Sequence, residues 1–275
     1  MTGPRPATAS EPIGLPTATA GQLRSARRLS RRKERQATGR FLVEGPQAVR
    51  EALHGPVDLV LIMDEAAERH ADLVTTAHER EVPVALVTDL DGLAEAVTPQ
   101  GVVAVAHTVD VDLGAALAKD PQLVVICAQV RDPGNAGTVI RCADAFGADA
   151  VIMTEGSVDP YNAKTVRATV GSVFHLPLVT GVSLAEAVRA CHDRGMRVLA
   201  ADGAGDVDLD QLQRSGELER PIAWLMGNEA WGLPEADAAL ADQVVTVPMW
   251  GSAESLNLST AAAVCLYTTA AAQRR

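Results

Sequence analysis

The stretch RDPGNAGTVIRCADAFGADA, residues 131–150, lies between two apolar runs, QLVVICAQV at 122–130 and AVIMT at 150–154. Strand, turn, helix and strand in that order make a crossover unit, and near-continuous apolar strands of this kind belong in a parallel sheet covered on both faces. The turn is polar where a purely structural crossover needs nothing polar. The residues predict a helix from Asn135, whose side chain can cap free backbone NH groups, while Gly134 and Gly137 let the backbone approach a bound group. Val139, Ala143 and Phe146 then form a buried stripe. Arg141 falls beside Gly137 and Thr138, over the first turn and aimed back toward the strand ends. A plain cap followed by a solvent-facing arginine is the alternative at this point.

The alternation continues downstream with RVLAA (197–201), IAWLMG (222–227) and QVVTVPM (243–249) as strands, and helices expected near 135–147, 161–171, 183–194, 233–240 and 256–272. Upstream, FLVEG (41–45), VDLVLIM (57–63), PVALV (83–87) and GVVAVAH (101–107) read as strands, with helices near 46–54, 65–80 and 89–97. At 275 residues the chain exceeds the usual single domain. The expected division is a flexible tail over 1–20, a small α/β domain over 21–107, a linker over 108–120 and a larger parallel-sheet α/β domain over 121–275. Ligands of open parallel sheets bind beyond the carboxyl ends of the strands, which directs attention to the loops after 130, 154, 227 and 249.

Hydrophobic residues make up 47% and charged residues 21% of the chain, the balance of a globular protein, and aromatics only 3%. No apolar run reaches the roughly 18–20 residues of a membrane span, and a cytoplasmic location is expected. Cys127, Cys142, Cys191 and Cys265 are far apart and read as buried free thiols; the six histidines lack ligand spacing, so no metal is expected. The net charge is −11, yet RSARRLSRRKERQATGR at 24–40 carries +7, leaving −18 on the rest. Arg24, Arg27, Arg28, Arg31, Arg32, Lys33 and Arg35 in that run form a footprint suited to phosphates, or else a solvated basic helix.

Two further loops are unusual. In WLMGNEAWGLP (224–234), Gly227 and Gly232 bracket Asn228, Glu229 and Trp231; the carboxylate could accept hydrogen bonds from a ligand or cap a neighbouring helix. In VPMWGSAESLNLSTAAAVCLYTTA (247–270), Ser255, Leu256 and Asn257 open a helix of small residues, which suits either a close subunit contact or an ordinary buried position. The chain lacks GxGxxG at a strand–helix junction, GxxxxGK[ST] and GxSxG, so dinucleotide, P-loop and serine-hydrolase readings lack their turns. His175, outside all three loops, reads as structural.

Taken together, NAGTVIRCADAFGAD, LMGNEAWGLP and VPMWGSAESLNLSTAAAVCLY resemble, in order and spacing, the three motifs of the SpoU/TrmH family of RNA ribose 2′-O-methyltransferases in the SPOUT superfamily. DPYNAKTVRATVGSVFHLPLV (159–179) is similar to the family's segment between the first two motifs. ARRLSRRKERQATGRFLVEGPQAVREAL (26–53) resembles a substrate-recruiting domain like ribosomal protein L30e. The resemblance implies a C-terminal domain with a deep trefoil knot and a homodimer joined through that domain. It also implies S-adenosylmethionine bound in a bent form in the knot by backbone groups of the second and third motif loops, around Leu225, Gly227, Asn228, Val247, Met249 and Leu256.

It further implies that Arg141 activates the 2′-hydroxyl. A guanidinium gives up its proton only at strongly alkaline pH, so the choice lies between an unusual base and a cation that clamps phosphate and steadies the developing alkoxide. Asn135 would orient Arg141 or the RNA backbone, Glu229 would hold Arg141 or the nucleoside, and Ser255 and Asn257 would bond near the methionine or ribose. Arg167 would touch phosphate. Ribosomal RNA is the favoured substrate, with transfer RNA the alternative. Two other classes compete: a non-catalytic RNA-binding assembly factor, which would not need a cofactor, and a Rossmann-type oxidoreductase, which would leave the arginine cluster idle.

Overall fold

A computed structural model describes residues 14–274. The first sheet consists of β1 (Arg40–Glu44), β2 (Val57–Met63), β3 (Val84–Val87) and β4 (Val102–His107), in the order β1-β4-β2-β3, with only the β2–β3 pair parallel. Around it lie α1 (Ala20–Arg28), α2 (Arg32–Thr38), α3 (Pro46–Ala52), α4 (Asp64–Arg69) and α5 (Ala71–Glu79). The single helix expected over 65–80 is broken at His70, and 89–97 forms turns instead of a helix. Asp89, Asp91 and Gly92 (φ +69°) favour such turns.

The second sheet has seven strands: β5 (Leu123–Cys127), β6 (Ala150–Thr154), β7 (Leu178–Val182), β8 (Arg197–Ala201), β9 (Val207–Asp208), β10 (Ile222–Met226) and β11 (Gln243–Thr246). Their order is β7-β6-β5-β10-β8-β11-β9 and every pair is parallel. The helices are α6 (Leu113–Ala116), α7 (Pro133–Ala145), α8 (Ala163–Thr169), α9 (Leu184–His192), α10 (Leu209–Arg214), α11 (Glu235–Ala238) and α12 (Leu258–Gln273). β7, β9 and α10 were not anticipated: LVTGV carries a glycine inside a half-exposed edge strand, and two-residue β9 is too short for any periodicity.

With so few aromatics the core is built from Ala, Val, Leu and Ile, and Trp224 is its largest fully buried side chain. Trp224 Nε1 donates to Thr269 Oγ1 at 2.9 Å, which locks α12 onto the sheet; the small residues Ala262, Cys265 and Ala270 let the helix lie close. Gly137 serves the same end on α7. A Cβ there would sit 2.5 Å from the Thr165 carbonyl oxygen and 2.6 Å from Ala168 Cβ, so this glycine admits α8 and not a ligand. The four cysteines are free, and burial pushes the thiols of Cys127, Cys191 and Cys265 up to about 12, the charge of Glu229 adding to the effect at Cys127.

Residues 1–13 of the expected tail lie outside the described residues. From residue 14 the chain is docked: Leu86 donates its NH to the Pro16 carbonyl, Ala18 donates to that of Leu86, and Thr19 and Gln22 form a capping box on α1. The expected linker is also engaged, since Asp110 pairs with Leu178 beside β7 and the 113–116 stretch forms α6.

The two sheets share a joint of aromatic and charged contacts. The Phe41 ring lies 4.7 Å from that of Tyr161 and 5.9 Å from that of Phe174. Arg35, expected among the RNA contacts, is buried instead; it holds Asp159 at 2.6 and 2.9 Å and the carbonyls of Leu29 and Ser30 at 2.8 and 2.9 Å. Arg167, expected to touch phosphate, donates to Glu44 at 3.1 Å. Glu44 is buried and also accepts the NH groups of Glu95 and Ala96. Charge density alone does not reveal such partners, because both carboxylates are more than 120 residues away from the arginine they hold.

His175 bridges Asp144 on α7 (2.8 Å) and Glu51 on α3 (3.1 Å), the structural position expected of it. Partial burial disfavours the charged ring, but the two carboxylates outweigh it and raise its pKa above the ordinary 6.5.

Arg35→Ala leaves Asp159 Oδ2 and two carbonyls without the guanidinium that bonds them, and urea unfolding is expected to show a loss of about 3–5 kcal/mol. The stabilising contribution of His175 is complete below the unfolded-state value near 6.5 and is lost as pH rises through the raised folded value. An NMR titration of the imidazole should therefore give a pKa above 6.5, and His175→Gln should remove that component of the pH dependence of stability.

Candidate functional site

Adjacent strands β10, β8 and β11 end at one edge of the sheet, and their loops enclose a crevice of about 400 Å³. It is lined by Asp202 and Gly203 after β8, by Gly227–Glu229 and Gly232 after β10, and by Val247, Met249 and the segment 254–258 after β11. The loop after β8 is the part the sequence reading missed. Its signal was DGAG at 202–205 directly behind a strand: a Cβ on Gly205 would sit 2.7 Å from Thr246 N, so this turn must be a glycine to lie on β11.

Three polar contacts tie these loops to the head of α7. Asp132, and not Asn135, caps that helix, its Oδ1 accepting from Asn135 N at 2.7 Å, and Pro133 occupies the first turn. The carboxylate of Glu229 accepts the NH groups of Arg131 and Asp132; it does not hold Arg141. Asn228 is buried, with Nδ2 on the Gln129 carbonyl at 2.7 Å and Oδ1 accepting from Ala230 N at 2.8 Å. Its amide is spent within the protein. Asn257 caps α12 by accepting from Ser259 N at 2.9 Å and donates Nδ2 to Asn135 Oδ1 at 3.0 Å, so the first and third motifs meet through two amides. The Arg131 guanidinium also lies over the Trp231 ring at 4.8 Å.

Of the expected site residues, Gly227, Asn228, Glu229, Val247, Met249, Ser255, Leu256 and Asn257 line the crevice. Asn135 joins its rim through Asn257. Leu225 is not among the lining residues; its side chain is fully buried inside β10, and the part expected of it is a backbone one. Gly227 is required by the loop itself, since a Cβ would lie 2.7 Å from both Gly232 C and Leu233 Cγ. Arg141 departs further from expectation. It is exposed on the stripe of α7 shared with Gly134 and Thr138, does not line the crevice, and has no hydrogen-bond or ion-pair partner among the described residues.

The basic run is divided. Arg27 bonds the Asp91 carbonyl at 2.8 Å and Arg28 pairs with Glu34 at 2.7 Å, whereas Arg24, Arg31, Arg32 and Lys33 are exposed without side-chain partners among the described residues. No cluster of three or more metal-ligating side chains occurs among the described residues. No helix there is long and apolar enough to cross a membrane.

This architecture, a parallel α/β domain with a ligand-sized crevice at its strand ends and a small α/β domain that carries the arginine-rich run 24–40, defines a class of two-part enzymes. The SpoU rRNA Methylase family matches residues 122–267, and an MRM3-like substrate binding domain matches 21–104. The chain belongs to the SpoU rRNA methylase family. It is 33% identical over 245 residues, 88% of its length and 92% of the relative's, to the 23S rRNA (guanosine(2553)-2′-O)-methyltransferase RlmP of Bacillus subtilis. Among solved structures, AviRb of Streptomyces viridochromogenes in complex with the cofactor AdoMet aligns with TM-score 0.79 at 32% identity, covering 93% of this chain and 99% of that one. An AdoMet-bound rRNA methyltransferase of Sinorhizobium meliloti aligns with TM-score 0.78 at 30% identity, covering 93% and 96%.

Asn257→Ala removes a helix cap and is expected to lower stability by about 1 kcal/mol in urea unfolding, with Asn257→Ser recovering most of the loss.

Proposed function

We propose that this chain is an S-adenosylmethionine-dependent RNA 2′-O-ribose methyltransferase acting on ribosomal RNA, working in the cytoplasm as a homodimer joined through the C-terminal domain. The crevice carries the reading. Val247, Met249, Leu256 and Leu258 offer apolar surface for a flat heterocycle, and Asp202, Glu229 and Glu254 put carboxylates where a cationic ligand gains from them. The donor set thus suits S-adenosylmethionine, which when bound supplies a methyl group already activated on a sulfonium. In the same reading the returning segment after β11 is part of the family's trefoil knot, with residues 21–107 as the substrate-recruiting unit.

The protein's share of the chemistry is alignment and the management of one proton. Ser255 and the Asn257–Asn135 pair border the mouth where a ribose would rest, and holding the reactants in line there supplies several kcal/mol of the barrier. Arg141 has no partner among the described residues and lies outside the chain's own crevice. We therefore assign it to the ribose at the crevice of the second copy, where its cation steadies the 2′-oxygen as the hydroxyl proton leaves to solvent. Exposed Trp250 and Tyr267, on the loop before α12 and on α12 itself, support a subunit contact on this side. Arg24, Arg31, Arg32 and Lys33 are the cations left for RNA phosphates.

With labelled S-adenosylmethionine and ribosomal RNA from cells lacking the gene, the wild type should transfer methyl to ribose. Arg141→Ala should lower turnover about 10²–10³-fold with cofactor affinity unchanged. Absence of both transfer and calorimetric cofactor binding in the wild type would overturn the reading.

A further inference from the structure

A second cavity, also of about 400 Å³, opens between α2 and the carboxyl ends of β6 and β7. Part of its polar lining is already occupied. Arg35 holds Asp159, Tyr161 donates to Asp110 at 2.8 Å, and the hydroxyls of Thr154 and Ser157 donate to the Cys127 carbonyl, each at 3.2 Å. Five polar lining side chains, Arg32, Gln36, Thr108, Glu155 and Thr180, have no hydrogen-bond or ion-pair partner among the described residues, and the two charged ones, Arg32 and Glu155, are exposed. Val158, Pro160 and Tyr161 supply apolar lining, and Gly156 and Gly181 line the cavity without side chains.

An unpaired carboxylate and an unpaired guanidinium in one cleft select the ligand. A bare anion would be repelled by Glu155 and a bare cation by Arg32. A ligand with a flat, hydrogen-donating head and an anionic tail satisfies both. Guanine presents adjacent N1–H and N2–H donors to the two oxygens of a carboxylate, whereas uracil presents one N–H between two acceptors that a carboxylate repels. We propose that this interdomain cleft is a nucleobase subsite, in which Glu155 reads the Watson–Crick edge of a guanine and Arg32 holds its phosphate.

The placement suits RNA running from the basic helices to the cofactor crevice, and the inference rests on the methyltransferase reading for that much. Arg32 belongs to the basic run, and β6 lies two strand spacings, about 10 Å, from β10. Gln129 stands between the two sites. Its NH donates to Thr154 Oγ1 at 3.1 Å, its carbonyl accepts from Asn228 at 2.7 Å, and its backbone is held at φ +52°. A left-handed non-glycine residue is uncommon outside positions the surroundings dictate. Here it joins Thr154, which lines one cavity, to Asn228, which lines the other.

The test is an amide NMR titration of the full chain with guanosine, inosine and uridine 5′-monophosphates. Guanosine monophosphate should shift the amides of Glu155, Gly156 and Gly181, with uridine monophosphate at least ten-fold weaker. Inosine monophosphate, lacking the 2-amino group, should be several-fold weaker. Glu155→Gln should lose about ten-fold for guanosine monophosphate and cease to distinguish it from inosine monophosphate; Arg32→Ala should weaken the nucleotide but not guanosine itself. Equal shifts from all three nucleotides, shifts confined to the β10 crevice, or none at all would each overturn the subsite. A parallel titration with S-adenosylmethionine separates the two readings. If it moves Gly227 while guanosine monophosphate leaves Gly156 and Gly181 unmoved, the subsite alone fails; if it moves nothing, the methyltransferase reading fails on its own.

Discussion

The carboxylate of Glu229 on the backbone NH groups of Arg131 and Asp132 is the contact on which the crevice depends. The head of a helix collects unpaired donors and the positive end of its dipole, so a carboxylate brought there from a distant loop is well paid in hydrogen bonds. Because Asp132 caps the same helix from within its own loop, α7 begins between two acidic side chains. The Asn228–Gln129 and Asn257–Asn135 bonds then close the loops from either side. Each of these contacts spans about 100 residues or more of chain. Their ordering entropy is therefore met collectively, by a sheet that has already brought the strand ends together.

The joint between the two sheets obeys the same logic with stronger charges. Arg35 and Arg167 look like surface cations in the sequence, yet each is held by a carboxylate of the other sheet's domain, with Glu44 and Arg35 buried. Pairs of this sort are costly to break and favour one relative placement of their elements. The basic face that remains is thereby held at a set position relative to the crevice. That is what an enzyme reaching one ribose in a folded RNA requires.

Much of the fold was legible. Apolar strands such as LVVIC and IAWLM announced a parallel sheet because both their faces are buried, and turn residues marked most boundaries. What escaped were elements with no pattern to show: β9, too short, β7, interrupted by Gly181, and the docked residues 14–20, held by backbone bonds to Leu86 that composition does not encode. The cap of α7 was misplaced by three residues because Asp132 and Asn135 are both good capping residues. Only the backbone geometry chooses between them.

The sequence by itself determined the class of fold, three of the loops that matter and the family, since these rest on local periodicity, on glycine and proline punctuation and on motif order. The tertiary structure decided which polar side chains are spent inside the protein and which are left over. Asn228, Arg35 and Arg167 turned out to be internal fittings, while Arg141, Arg32 and Glu155 remained without partners in the described chain. That division follows from which groups the folded sheets bring within hydrogen-bonding range across long stretches of chain, a quantity no local reading of residues contains.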